Sequence, residues 1–252
     1  MYTSFITPRL TGKVAFITGG NRRIGPAIVR RFAAEGASVA FTYQGSADEA
    51  DALIEEIESS RGIAFAIRAD SSEPAALKTA IAAAINAFGP IDILVNNTGA
   101  IGTAPFEAYS LEDFDRMIGT NVRAVFVAAQ AVASQMEPGG RIITIGSSAV
   151  DQTRAPSASL AALAQEAVGA FGQGLARDLR PRGITVNTIQ PGLVDNDQNP
   201  ADEVLATTPM GRMALCRVGK TDEIAGLAAY LASNEGALIT GASIKIDGAR
   251  SA

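Results

Sequence analysis

The chain alternates two kinds of apolar segment. Short runs rich in β-branched residues occupy 14–18, 38–43, 64–69, 91–96, 141–146, 185–190 and 243–247, and alanine-rich stretches of helical period lie at 27–35, 48–60, 73–88, 111–135, 159–180 and 222–233. A run that is apolar at consecutive positions, rather than at every second one, is a strand covered on both faces, and regular alternation with helices makes the sheet parallel. The pattern predicts an α/β, doubly wound fold with a seven-stranded parallel sheet and helices on both faces, spanning 1–252 as a single domain. Gly36 and Gly62 stand where the first two helices should end. Residues 194–218, rich in Asp, Asn, Pro and Met, show no clear period and form the candidate lid on the substrate side.

Composition narrows the function without changing this picture. A net charge of −5 and a sequence pI near 4.9 argue against a general nucleic-acid or anionic-membrane surface, so no nucleic-acid and no membrane partner is expected. No apolar stretch approaches the roughly 20 residues of a membrane-spanning helix. The single cysteine, Cys216, cannot form an internal disulfide, and Met1 to Phe5 lack the layout of a signal peptide, which together point to the cytoplasm. The complete lack of histidine excludes a Ser-His-Asp triad, a histidine general base and imidazole metal sites, and no metal is expected.

The first strand runs directly into Thr18-Gly19-Gly20-Asn21-Arg22-Arg23-Ile24-Gly25, with Pro26 fit for the first turn of the helix that follows. A strand, a glycine-bearing turn and a helix start in that order aim backbone N–H groups at a phosphate. Thr18, Gly19 and Gly25 match the Thr-Gly-x-x-x-Gly-x-Gly turn of the short-chain dehydrogenase/reductase family, with Arg23 in place of the middle glycine. An arginine is tolerable there if the backbone stays right-handed. The second strand ends in Tyr43-Gln44-Gly45-Ser46, with no carboxylate to repel a ribose 2′-phosphate. Arg22 stands where NADP-dependent members carry a basic residue, and Ser46 is placed to add a hydrogen bond, so NADP(H) is favoured over NAD(H).

The resemblance extends from about Gly12 to the end of the chain and implies a Rossmann-type fold. It places Asp70 and Ser71 near the adenine, and Asn97, Thr98 and Gly99 on the cofactor path, with Thr98 replacing the alanine of Asn-Asn-Ala-Gly. It further assigns Asn121 to the support of the proton-relay water, Ser147 to the catalytic serine position, and Pro191-Gly192 to the turn flanking the nicotinamide. With Asn21, Arg23, Ile24, Gly25 and Tyr43 these make up the expected cofactor contacts.

One part of the family pattern is replaced. Active members carry a tyrosine for proton transfer and a lysine four residues later, and the register from both Ser147 and Phe171 puts Ala161 and Gln165 at those places. Gln165 can hydrogen-bond a ribose hydroxyl but carries no charge to depress a neighbouring pKa. Tyr109 is expected to pack or cap, and Asp151, Asp195 and Glu166 are the carboxylates near the pocket rim. The sequence therefore points to an NADP(H)-binding oxidoreductase with non-standard proton chemistry, acting on a small-molecule substrate of carbonyl, imine or iminium type. A non-redox enzyme reusing the pocket and a catalytically silent or inactivated subunit are the alternatives. By resemblance, helices 111–135 and 159–180 would assemble a homodimer or homotetramer.

Overall fold

A computed structural model describes residues 8–99, 102, 104–148, 157–197, 200–201 and 214–250. Seven strands form one sheet: β1 (Val14–Ile17), β2 (Ser38–Tyr43), β3 (Ile63–Arg68), β4 (Ile93–Asn96), β5 (Arg141–Ile145), β6 (Thr185–Pro191) and β9 (Ser243–Ile246). Their order is β3-β2-β1-β4-β5-β6-β9, with every pairing parallel. The helices are α1 (Gly25–Ala34), α2 (Ala47–Ser59), α3 (Pro74–Phe88), α4 (Leu111–Ile118), α5 (Ala124–Ala133), α6 (Ser159–Asp178) and α7 (Thr221–Ala232).

The continuous apolar runs are explained by two cores, one on each face of the sheet. Ala15, Ile17, Ile93 and Val95 pack with Ile28 and Phe32 of α1, Leu53 of α2 and Leu231 of α7. Phe16 and Leu94, which point the other way in the pleat, pack with Leu77 of α3, Val127 and Val132 of α5 and Ala176 of α6. Both side-chain sets of one strand are therefore buried, and the sheet cannot slip register without exposing one of them.

Strand and helix ends agree with the pattern to within two residues except at two places. The predicted helix 111–135 is divided, because Gly119–Arg123 forms a π-helical turn between α4 and α5. The aperiodic segment 194–218 begins in a short strand, β7 (Val194–Asp195), which pairs in parallel with β8 (Gly219–Lys220) immediately after the segment. Residues 198–199 and 202–213 of that candidate lid lie outside the described residues. Among the described residues no helix is long and apolar enough to cross a membrane.

Beside the sheet, the wholly buried Glu35 carboxylate closes the C-terminal end of α1. Arg9 holds it bidentately at 2.7 and 2.6 Å, and Arg31 donates from one turn back at 2.5 Å. Burial alone would raise this carboxyl, but the hydrogen bonds from Arg9 and Arg31 overcome it and hold Glu35 below the usual carboxylate range.

Candidate cofactor and active site

The strand order reverses direction between β1 and β4, so the chain leaves these neighbours toward opposite faces and opens a crevice at their carboxyl ends. Side chains lace that crevice shut from below. The Thr18 hydroxyl accepts from the amides of Asn97 and Thr98 at 3.0 and 3.1 Å, and the Asn97 side-chain amide donates to the Gly19 carbonyl at 2.8 Å. On the other side the Thr42 hydroxyl accepts from the Gly19 amide at 2.9 Å. The turn after β1 is thus fixed to both neighbouring strands.

Two glycines are required by space. A Cβ on Gly25 would lie 2.3 Å from the Gly19 carbonyl oxygen, and one on Gly20 would lie 2.5 Å from the Phe41 Cβ. The missing side chains let the turn close on itself and lie flat over β2.

Above the turn is a cavity of about 330 Å³. Of the residues expected from the sequence, Gly19, Asn21, Arg22, Arg23, Tyr43, Asp70, Ser71, Asn97, Thr98 and Gly99 line it together. Thr18 and Ile24 are buried beneath it, and Gly25 packs on the turn. Ser46 is exposed with a left-handed backbone, and it meets the turn through its carbonyl, which accepts from the Asn21 side chain at 3.4 Å. The Asn21 side chain also donates to the Gly45 carbonyl at 3.2 Å, and Arg22 lies over Gly45, where an added Cβ would be 3.7 Å from the guanidinium. This brings a cation onto the end of β2. Asp70 is held in place at the end of β3, its carboxylate accepting from Gln44 at 2.7 Å and from the Ser72 amide and hydroxyl at 2.8 and 2.7 Å. The hydroxyl that Thr98 adds lies 3.2 Å from the Ser71 hydroxyl.

Arg23 departs from the conformation expected for it. Its φ is +55°, in the left-handed region that favours glycine, not the right-handed one. The physical reason is visible in its partners: the amide donates to the Asp197 carboxylate at 3.0 Å and the guanidinium donates to the Gly99 carbonyl at 2.8 Å.

The cavity is lined as well by Thr42, Gln44, Ala69, Ser72, Arg116 and Thr120, which the sequence reading had not singled out. Arg116 and Thr120 stand one helical turn apart just before Asn121, and that spacing was the available signal. The helix that presents Arg116 is firmly started by a capping box, in which the Ser110 hydroxyl accepts from the Asp113 amide and the Asp113 carboxylate accepts from the Ser110 amide.

Toward the other end of the crevice the π turn carries Asn121 inward. Asn121 is buried, its side-chain amide donates to the Met117 carbonyl at 2.9 Å, and its Oδ1 would lie 3.0 Å from a Cβ on Gly99. Ser147 follows β5 and is half-buried. Ala161 and Gln165 both lie near the start of α6, half-buried, and the Gln165 Oε1 would lie 2.9 Å from a Cβ on Gly146. The side chain at position 165 therefore lies close to the residue before Ser147. Pro191 closes β6, and the Gly192 amide donates to the Ile246 carbonyl at 3.0 Å, which sets that turn against β9.

Tyr109 packs, as expected. Its hydroxyl accepts from the Ala104 amide at 3.1 Å and faces the carbonyls of Gly102 and Ser157 at 3.2 and 3.0 Å. Glu166 is exposed, the Asp195 carboxylate is occupied with the Ala201 amide at 2.9 Å, and Asp151 lies outside the described residues.

The sequence profile of the family described as Enoyl-(Acyl carrier protein) reductase matches residues 19–249. The solved short-chain dehydrogenase/reductase from Serratia marcescens BCRC 10948 is 48% identical, with a TM-score of 0.94 over 97% of this chain and 100% of that one. The chain belongs to the short-chain dehydrogenase/reductase family. Among other members, a short-chain dehydrogenase from Burkholderia cenocepacia J2315, solved in complex with NADP, is 45% identical with a TM-score of 0.93 over 97% of this chain and 100% of that one. The Cyclic-di-GMP-binding biofilm dispersal mediator protein of Escherichia coli (strain K12) is 42% identical over 241 residues, covering 95% of this chain and 97% of that protein. Membership accounts for the glycine turn, the parallel sheet and the position of the crevice together.

Proposed function

We propose that this member of the family binds NADP(H) and uses it as an oxidoreductase on a small carbonyl, imine or iminium compound, with proton chemistry that does not depend on a tyrosine-lysine pair. The observation that carries the cofactor reading is the phosphate turn under a cavity of about 330 Å³, with Arg22 over the end of β2 and no carboxylate on that strand end. A cavity of that size suits the nucleotide half of a dinucleotide. The Burkholderia cenocepacia relative, solved with NADP, supports the same choice. When bound, the cofactor supplies a hydride.

The residues at the reacting end set the limits of the chemistry. Ala161 has no proton to give, and Gln165 is neutral, so neither holds a proton ready for an alkoxide. Asn121 and Ser147 remain to orient a polar substrate atom. An iminium carbon that accepts hydride becomes a neutral amine with no proton to add, so this substrate class fits the residues present. NADPH consumption across ketones, imines and iminium compounds tests the reading, and inertness across the whole panel in a protein that binds NADPH would refute the redox part.

A second reading rests on the same replacements together with Arg22, Arg23 and Arg116, which line one cavity. Three guanidinium groups around a nucleotide-sized space suit a ligand with more than one phosphate, and the Escherichia coli relative is named for binding cyclic-di-GMP. In this reading the chain binds a nucleotide without turning it over. Titration with cyclic-di-GMP in competition with NADPH separates the two. The exposed Leu111, Phe114 and Phe126 of α4 and α5 and Leu163 of α6 support assembly into a homodimer or homotetramer, which light scattering on the purified chain would test.

A further inference from the structure

A non-glycine residue held in the left-handed region is strained, and strain of that kind persists where the surrounding structure over-determines it. Arg23 is such a residue, at φ +55° in a turn whose family pattern has glycine. What its unusual backbone achieves is a placement. The guanidinium reaches across the crevice to the Gly99 carbonyl at 2.8 Å, and Gly99 lies against Asn121, whose Oδ1 would be 3.0 Å from a Cβ there. It thereby brings charge from the phosphate turn toward the reacting end of the site. The residue that would carry charge at that end in the family pattern is replaced by Gln165, whose side chain lies against Gly146 on the neighbouring strand end.

We infer that Arg23 is a cofactor-positioning residue that supplies, from the phosphate turn, the positive charge which the neutral Gln165 does not. The inference rests on the NADP(H) reading above. Arg22, over the end of β2, serves the adenosine end, whereas Arg23 serves the diphosphate and the half of the dinucleotide beyond it. A half-buried guanidinium favours such a ligand: burial lowers its pKa, the Asp197 carboxylate opposes that, and Arg22 adds to it, so an anion brought alongside offsets the cost of desolvation and of the repulsion. The Asp197 contact gives the same residue a second function, since it fastens the turn to the segment that follows β7.

The test compares Arg23→Gln, Arg23→Lys, Arg23→Gly and Arg22→Gln in the full chain, titrated with NADPH and with adenosine 2′,5′-bisphosphate, which lacks the nicotinamide half. Arg23→Gln should weaken NADPH about 10- to 100-fold, the range for losing a charge-assisted hydrogen bond, and weaken the bisphosphate much less. Arg22→Gln should weaken both. Arg23→Lys should recover most of the NADPH affinity, and Gln165→Lys should restore NADPH affinity to Arg23→Gln. Arg23→Gly removes the strain and keeps the fold, so its melting temperature shows that lost affinity is not lost structure. A parent chain that does not bind NADPH would overturn the cofactor reading and this inference with it. Parent binding that Arg23→Gln leaves unchanged, or weakens equally for both ligands without rescue by Gln165→Lys, would overturn the assignment of Arg23 alone.

Discussion

Ala161→Tyr with Gln165→Lys is the perturbation that most directly examines the reacting end. The two positions lie on α6 four residues apart, about 6 Å along the helix axis at 1.5 Å per residue, and on one face. Gln165 already points at Gly146, next to Ser147, so a lysine of similar length follows the same path. Ala161 is half-buried, one turn before Gln165. A positioned general acid contributes roughly 10²- to 10⁴-fold, or about 2.7 to 5.4 kcal/mol of barrier. The double variant should therefore raise kcat/KM for simple ketones by about 100-fold or more over the parent, followed as NADPH consumption, while the NADPH Kd changes little. Ala161→Tyr alone should gain far less, because a phenol without an adjacent cation keeps its proton too tightly at neutral pH. The reasoning is refuted if the double variant binds NADPH as the parent does, keeps its melting temperature, and reduces no ketone faster.

Three further outcomes follow from the geometry. Gly25→Ala forces a Cβ to within 2.3 Å of a backbone oxygen, so the phosphate turn must open, and NADPH titration should show a loss of about 10-fold or more with stability lower by about 2 kcal/mol. Tyr43→Asp sets a carboxylate at the end of β2 where the chain has none, and the ratio of NADPH to NADH affinity should fall by about 100-fold in paired titrations. Glu35→Gln leaves Arg9 and Arg31 facing a neutral group and should lower stability by about 3 kcal/mol, a fall in Tm of roughly 6 to 12 °C. The Glu35 carboxyl is held below its unfolded value, so its contribution is present above the unfolded pKa and is lost as pH falls through the lower folded one. Acid unfolding of the parent should accordingly steepen below about pH 4.3, and the Gln variant should lack that part of the slope.

Much of the cofactor end was legible because it depends on local chemistry. A strand that is apolar at every position, followed by Thr18-Gly19 and Gly25-Pro26, has few ways to continue except through a tight turn into a helix. The crevice residues at the ends of β2, β3 and β4 follow from knowing where each strand stops. Arg116 and Thr120 were not read, since two polar residues one helical turn apart equally suit the solvated face of a helix. The π turn at Gly119–Arg123 was also hidden, since the run 111–135 keeps a helix-forming composition through it, while the turn itself holds Asn121 against Gly99.

The sequence by itself determined the alternation of strands and helices, the parallel sheet and the glycine turn. These are properties of residue type and spacing, which the backbone converts into structure locally. The tertiary structure decided how charge is distributed across the crevice. The left-handed backbone of Arg23 is stabilised by Asp197, 174 residues later, and its guanidinium is directed by Gly99, 76 residues later. Partners so distant in the chain leave no periodic trace in the sequence, so the reach of that arginine toward Asn121 appears only when the strand ends are brought side by side.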